Sequence, residues 1–133
     1  MDASEINVEF GVYSESFLDT QRITKIIGVE PTKTWEKGDQ IRKNLFRQES
    51  AWIYSSGSIK SLFLEEVLDM LTQIILPNVF LLEEYIAKNK LNVKFDIVLK
   101  IANNQPPSHY LPKRFIHLCS KLNADVDTDI FLF

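Results

Sequence analysis

Between Asn92 and Ile101 apolar and polar side chains alternate almost without a break. Val93, Phe95, Ile97, Leu99 and Ile101 fall on one set of positions, and Asn92, Lys94, Asp96, Val98 and Lys100 on the other. A period of two sends successive side chains to opposite faces of a pleated strand, so one face seeks burial and the other faces water. The rest of the chain must therefore supply an apolar layer against one side of this strand. The same alternation recurs at Ile6, Val8, Phe10 and Val12. It returns at the end of the chain, where Val126, Thr128, Ile130 and Leu132 alternate with Asp127, Asp129, Phe131 and Phe133.

Segments of helical period supply that layer. Leu18, Ile23, Ile26 and Ile27 lie near one face of a first helix, and Gly28 is placed to end it in a left-handed cap. Ser16-Phe-Leu-Asp19 has the spacing of a capping box with aspartate in place of the preferred glutamate. A longer helix, capped by Ser61, carries Leu64, Val67, Leu68, Leu71, Ile74 and Ile75, with Phe63 and Met70 widening its apolar face. Pro77 must break or kink it, since proline lacks the donor and clashes with the preceding turn. Asn78 then opens a second piece with Val79, Leu82, Tyr85 and Ile86. After Pro112, which a first helical turn tolerates, Phe115, Leu118, Cys119 and Leu122 follow the i, i+3, i+4, i+7 pattern.

The middle of the chain reads as a hairpin. Lys37-Gly38-Asp39 is a turn into a strand from Gln40 to Phe46, which pairs antiparallel with Ala51–Ser55 through an Arg47–Ser50 loop. Ser55-Ser-Gly-Ser58 reads as a flexible joint. The resulting order is strand, helix, hairpin, broken helix, strand, helix, strand. It predicts an α+β fold: a mainly antiparallel sheet with helices packed on one face, a roughly ferredoxin-like sandwich. A chain of 133 residues fits a single domain spanning 1–133.

Charge and cysteine usage narrow the function. A formal net charge of −3 lacks the basic excess of phosphate-backbone binders, so no nucleic acid is expected. No membrane association is expected either, because no apolar run reads as a span and the Met1–Glu5 start lacks a basic and apolar leader. Cys119 is the only cysteine, which excludes an intramolecular disulfide and a cysteine-based zinc site. The cytoplasm is the expected location.

The residues that carry chemistry elsewhere each have a plain structural reading here. Asp125, Asp127 and Asp129 share one strand face at spacings of about 7 Å. Carboxylate oxygens are ligands for a hard cation, but a straight strand cannot wrap an ion, and the glycine and later glutamate of a calcium loop are missing. The plain reading is a solvated face paired with Lys94 and Lys100. His109, His117 and Cys119 are close in sequence, yet Cys119 belongs to the apolar helix face and His117 points away from it. Glu30, Glu36, Lys37 and Asp39 crowd one loop with charge. Two carboxylates at a cleft can divide acid and base work, although a charged loop is ordinarily just solvated. No catalytic set, metal site or cofactor motif emerges. Trp35 and Trp52 either anchor a ligand or partner, with Lys37 beside Trp35 to orient it, or simply pack in the core.

The run Ile23-Thr24, Ile27-Gly28-Val29-Glu30-Pro31-Thr32, Trp35 and Lys37-Gly38-Asp39 resembles a bacterial family catalogued only as domain of unknown function 4279. Ala51-Trp52 and the closing segment from Leu122 to Phe131 are similar to it as well. The resemblance implies Pro31, Thr32, Trp35, Lys37, Gly38, Asp39 and Trp52 as signature positions, with no catalytic role for any of them. The reading that follows is a small bacterial binding protein without catalytic activity. An immunity protein that binds and neutralises a toxin is its sharper form, and a protein partner is expected. The alternative is a small-molecule-binding protein or enzyme with its site around Trp35, Lys37 and Asp39. A homodimer, through an uncovered strand edge or the Phe131–Phe133 end, is the third expectation.

Overall fold

The alternating segments pair with one another, and the helical segments stack on the face they bury. The computed structural model describes residues 1–133. The chain runs β1 (Glu5–Ser14), α1 (Thr20–Ile27), β2 (Lys33–Trp35), β3 (Gln40–Arg42), β4 (Leu45–Phe46), β5 (Ser50–Ser55) and β6 (Ile59–Lys60). It continues through α2 (Leu64–Ile75), a 3-10 turn at Leu76–Asn78, α3 (Val79–Asn89), β7 (Asn92–Ile101), α4 (Lys113–Leu122) and β8 (Asp125–Leu132). The main sheet has the order β2-β5-β1-β7-β8, with β6 pairing β1 beyond the end of β5. All pairings are antiparallel except β7 with β8. The fold is therefore the α+β sandwich that the periodicity predicts. Its ferredoxin-like character lies in the two layers; the connectivity is its own, with the one parallel pair at an edge.

Ile6, Val8, Phe10 and Val12 of β1 and Val93, Phe95, Ile97 and Leu99 of β7 form the floor of a 25-residue core. The helices roof it with Ile23, Leu64, Leu68, Leu71, Leu82, Phe115 and Leu118. A line of aromatic contacts crosses it: Trp52 to Phe10 at 6.2 Å, Phe10 to Phe95 at 5.0 Å and Phe95 to Phe115 at 4.9 Å between centroids. Tilted and edge-on pairs of this kind satisfy the ring quadrupoles better than face-to-face stacking.

Several local expectations shift. The cap of α1 is Asp19, whose carboxylate accepts from the Arg22 N–H at 3.1 Å. Ser16 is not free for that role: its carbonyl accepts from the Ser50 hydroxyl and its N–H donates to Ser14 Oγ. Gly28 closes the helix at φ +89° as expected, its N–H on the Thr24 carbonyl. Phe63 and Met70 are exposed and do not widen the buried face of α2. Ser61 caps nothing within α2; its hydroxyl accepts from the Phe63 N–H instead.

The strand expected over Gln40–Phe46 divides into β3 and β4 around Asn44, which sits in the left-handed region at φ +62°. The partners of β5 are β1 and, in place of the expected Gln40–Phe46 strand, β2, three residues long. The Ser55–Ser58 joint is a bonded bulge, with Val8 N–H on Ser56 Oγ and Gly57 N–H on Ser55 Oγ. Pro77 interrupts the helical run Leu64–Asn89 with a 3-10 turn, as expected, but the run as a whole is long and apolar enough by length and composition to cross a membrane, where no span was expected. Its inner side chains, among them Leu64, Leu68, Leu71, Leu82 and Ile86, lie in the core.

Candidate functional site

Strand alternation decides where the two tryptophans go. In the β2–β5 register Trp35 sits opposite Ala51 and Thr34 opposite Trp52, so the two indoles leave the sheet on opposite faces. Trp52 lies on the helix side, fully buried, and its Nε1 donates to Thr24 Oγ1 of α1 at 3.0 Å. Trp35 lies half-buried on the other face. The Arg47 guanidinium stacks 3.7 Å from its ring centroid, and the Lys33 ammonium approaches to 5.9 Å. Its Nε1 is buried without a hydrogen-bond partner, an unmade bond that carries a desolvation cost.

Trp35 leads straight into a tight turn. Glu36 N–H donates to Asp39 Oδ2 at 2.8 Å, and Asp39 N–H returns to the Glu36 carbonyl at 3.0 Å. Gly38 takes φ +93°, a conformation in which any other L-residue is strained. Gly38 N–H then donates to the Arg47 carbonyl, and Arg47 N–H to the Asp39 carbonyl. These bonds clamp the base of the β3–β4 hairpin. Lys37 N–H reaches Ser50 Oγ, whose hydroxyl donates to the Ser16 carbonyl, tying the turn to the β1–α1 connection. Thr32 joins in with its N–H on the Ile53 carbonyl and its hydroxyl accepting from Ser55 N–H. Pro31 directly precedes it, holding the approach to β2 extended.

The structure thus gathers Thr32, Trp35, Lys37, Gly38 and Asp39 at one end of the sheet and places Trp52 on the sheet's opposite face, in the core. The side chains of Lys37 and Asp39 are exposed, and the Asp39 carboxylate is occupied by a backbone donor. A shallow depression of about 310 Å³ lies beside them, lined by Ser16, Phe17, Glu36, Lys37 and Ser50.

What the sequence reading missed is the hairpin that this turn supports. β3 and β4 form a separate two-stranded sheet, with Ile41, Leu45 and Phe46 exposed. From Lys33 to Arg47 there are five cations to two carboxylates. Among the cations only Lys33 is in a salt bridge, with Glu9 at 3.5 Å. The signal for this hairpin was Lys43-Asn44, since asparagine tolerates the left-handed turn conformation.

The remaining candidates lie apart. His109 Nε2 contacts Thr128 Oγ1 at 3.3 Å, His117 is exposed on α4, and Cys119 is buried in the core. Burial pushes the Cys119 thiol up to about 11, so it stays protonated at neutral pH. Asp127 pairs with Lys94 at 3.7 Å, and Lys94 also bridges Asp96 at 3.2 Å. Lys100 faces Phe131 rather than an aspartate. No group of three or more metal-ligating side chains converges.

A family model described as a domain of unknown function (DUF4279) matches residues 4–132. No curated protein and no solved structure matches the chain.

Proposed function

The chain belongs to the DUF4279 family, and from that premise, which carries a signature but no activity, we propose that it is a protein-binding module without catalytic activity. The observation that supports this most is the β3–β4 hairpin. It presents exposed Ile41, Leu45 and Phe46 among Lys37, Arg42 and Lys43. Aromatic and apolar side chains with arginine are the groups that dominate protein interfaces. The clamp at Glu36–Asp39 and the Arg47–Trp35 stack fix this surface before binding, which limits the ordering entropy lost on association. Its excess of cations favours an acidic partner surface.

In its finer form the proposal makes the chain a bacterial cytoplasmic immunity protein that caps a toxin. That form rests on analogy with small proteins of this kind. The test is thermal shift against the products of adjacent genes. A partner that binds only the folded state raises the melting temperature with the logarithm of one plus its concentration over Kd. Ile41→Ser with Phe46→Ser should abolish the rise while the free protein's own melting temperature stays put. A rise that survives both substitutions would remove the hairpin from the interface, and turnover of a substrate would remove the module reading altogether.

One observation favours a second reading, a small-molecule site around Trp35, Lys37 and Asp39: the buried Trp35 Nε1 lacks a partner, and an acceptor that displaced what covers it would satisfy it. Lys37→Ala and Asp39→Ala separate the two. Retained fold with loss of a ligand response favours the site. Loss of fold in both variants makes the turn purely structural.

A further inference from the structure

The sheet ends in two unequal edges. β2 is three residues long and stands beside the clamped hairpin, whereas β8 runs for eight residues and pairs only with β7. The outward row of β8 backbone N–H and C=O groups therefore has no strand partner, and such a row is a template for another chain. Apart from Thr128, half-buried and contacted by His109, the side chains on both faces of β8 are exposed. The register carries Val126, Ile130 and Leu132 onto the helix side, in line with Phe95, Leu99 and Ile101. Phe95 and Leu99 are buried on β7, but Ile130 is 59% and Leu132 79% exposed, because the helical layer stops short of the last strand. On the opposite face Asp125, Asp127 and Asp129 stand in a row, of which only Asp127 meets a cation, Lys94.

Beside this row β7 turns Lys94, Asp96 and Lys100 to the same face, and Lys94 is held between Asp96 and Asp127. Asp96, Glu49 and Glu9 surround Tyr13, whose phenol is pushed up to about 12 by burial first and by those carboxylates second. An open edge with an apolar stripe on one face and an anionic stripe on the other has a definite complement. We propose that β8 accepts an extended segment of a partner protein in which basic and apolar side chains alternate, added as a further strand of the sheet.

A second copy fits less well. In an antiparallel self-pairing centred on Thr128, Asp127 meets Asp129; centred on Asp127 or Asp129, an aspartate meets itself. Like charges directly opposite are destabilising. This edge lies across the sheet from the β3–β4 hairpin, so the inference stands independently of the module reading above.

The probes are capped, fluorescein-labelled eight-residue peptides, one alternating lysine with valine and one alternating glutamate with valine, followed by anisotropy and by amide exchange. The lysine peptide should bind saturably, slow exchange within Asp125–Leu132 and weaken as salt rises. Asp125→Asn, Asp127→Asn and Asp129→Asn together should weaken it about tenfold, three exposed charge pairs' worth. Val126→Ser with Ile130→Ser should weaken it without changing the salt dependence. Ile41→Ser with Phe46→Ser should leave it unchanged. Absence of saturable binding, equal binding of the glutamate peptide, or protection confined to other strands would overturn the inference. A concentration-dependent dimer in sedimentation whose β8 amides are protected without peptide would overturn it in favour of a second copy.

Discussion

At the scale of single residues, position in the pleat outweighs residue type. Trp35 and Trp52 are neighbours across two paired strands, yet one reinforces the core and the other lies under an arginine on the open face. Thr24→Val keeps the shape at Trp52 and strands its Nε1–H, so it should cost about 1–3 kcal/mol in urea unfolding with an unchanged m-value. Gly11 permits another close approach. A Cβ there would fall 2.5 Å from the Tyr13 hydroxyl, so Gly11→Ala should displace the Tyr13 ring and lower its titration midpoint in ultraviolet absorbance. The folded thiol of Cys119 and phenol of Tyr13 both hold their protons more tightly than the unfolded chain does. Their contributions are therefore full below pH 9 and 10 respectively, and are lost as pH climbs through about 11 and 12. Stability should decline above pH 9, and Cys119→Ala should remove the earlier part of that decline.

At the scale of elements, termini are decided by which polar groups are already engaged. Ser16 has the sequence pattern of a helix cap, but Ser14 and Ser50 occupy its backbone, and the role passes to Asp19. Asp19→Ala should cost about 1 kcal/mol, whereas Ser16→Ala should fall within about 0.5 kcal/mol of wild type. The same reasoning applies to the hairpin. Gln40–Phe46 alternates well enough for one strand, but the bonds among Glu36, Gly38, Asp39 and Arg47 fold it back on itself. Asp39→Ala and Gly38→Ala should each lower stability by about 1 kcal/mol and speed amide exchange from Gln40 to Arg47. Asp39→Asn, which retains an acceptor oxygen, should lose less.

At the scale of the molecule, a modest net charge of −3 conceals two local rows at opposite edges of the sheet: five cations to two carboxylates across Lys33–Arg47, and three aspartates along one face of β8. The core between them is continuous, and its aromatic line passes through Phe95, which touches both Phe10 and Phe115. Phe95→Ala should therefore destabilise the whole structure by about 3–5 kcal/mol in a single cooperative transition, a large share of the 5–15 kcal/mol typical of a domain.

The sequence by itself determined which segments become strands and helices, because periods of two and of 3.6 are local properties that sterics turn directly into faces. β1, β7, β8 and the apolar sets of α1 and α4 were legible for that reason, and so was the family signature. Only the tertiary structure decided which edge each strand occupies, how far the helical layer extends and which polar groups are already bonded. Those depend on pairings distant in sequence. They explain why the Gln40–Phe46 strand became a hairpin, why Trp35 and Trp52 parted, and why β8, with the alternation of a covered strand, lies open on both faces.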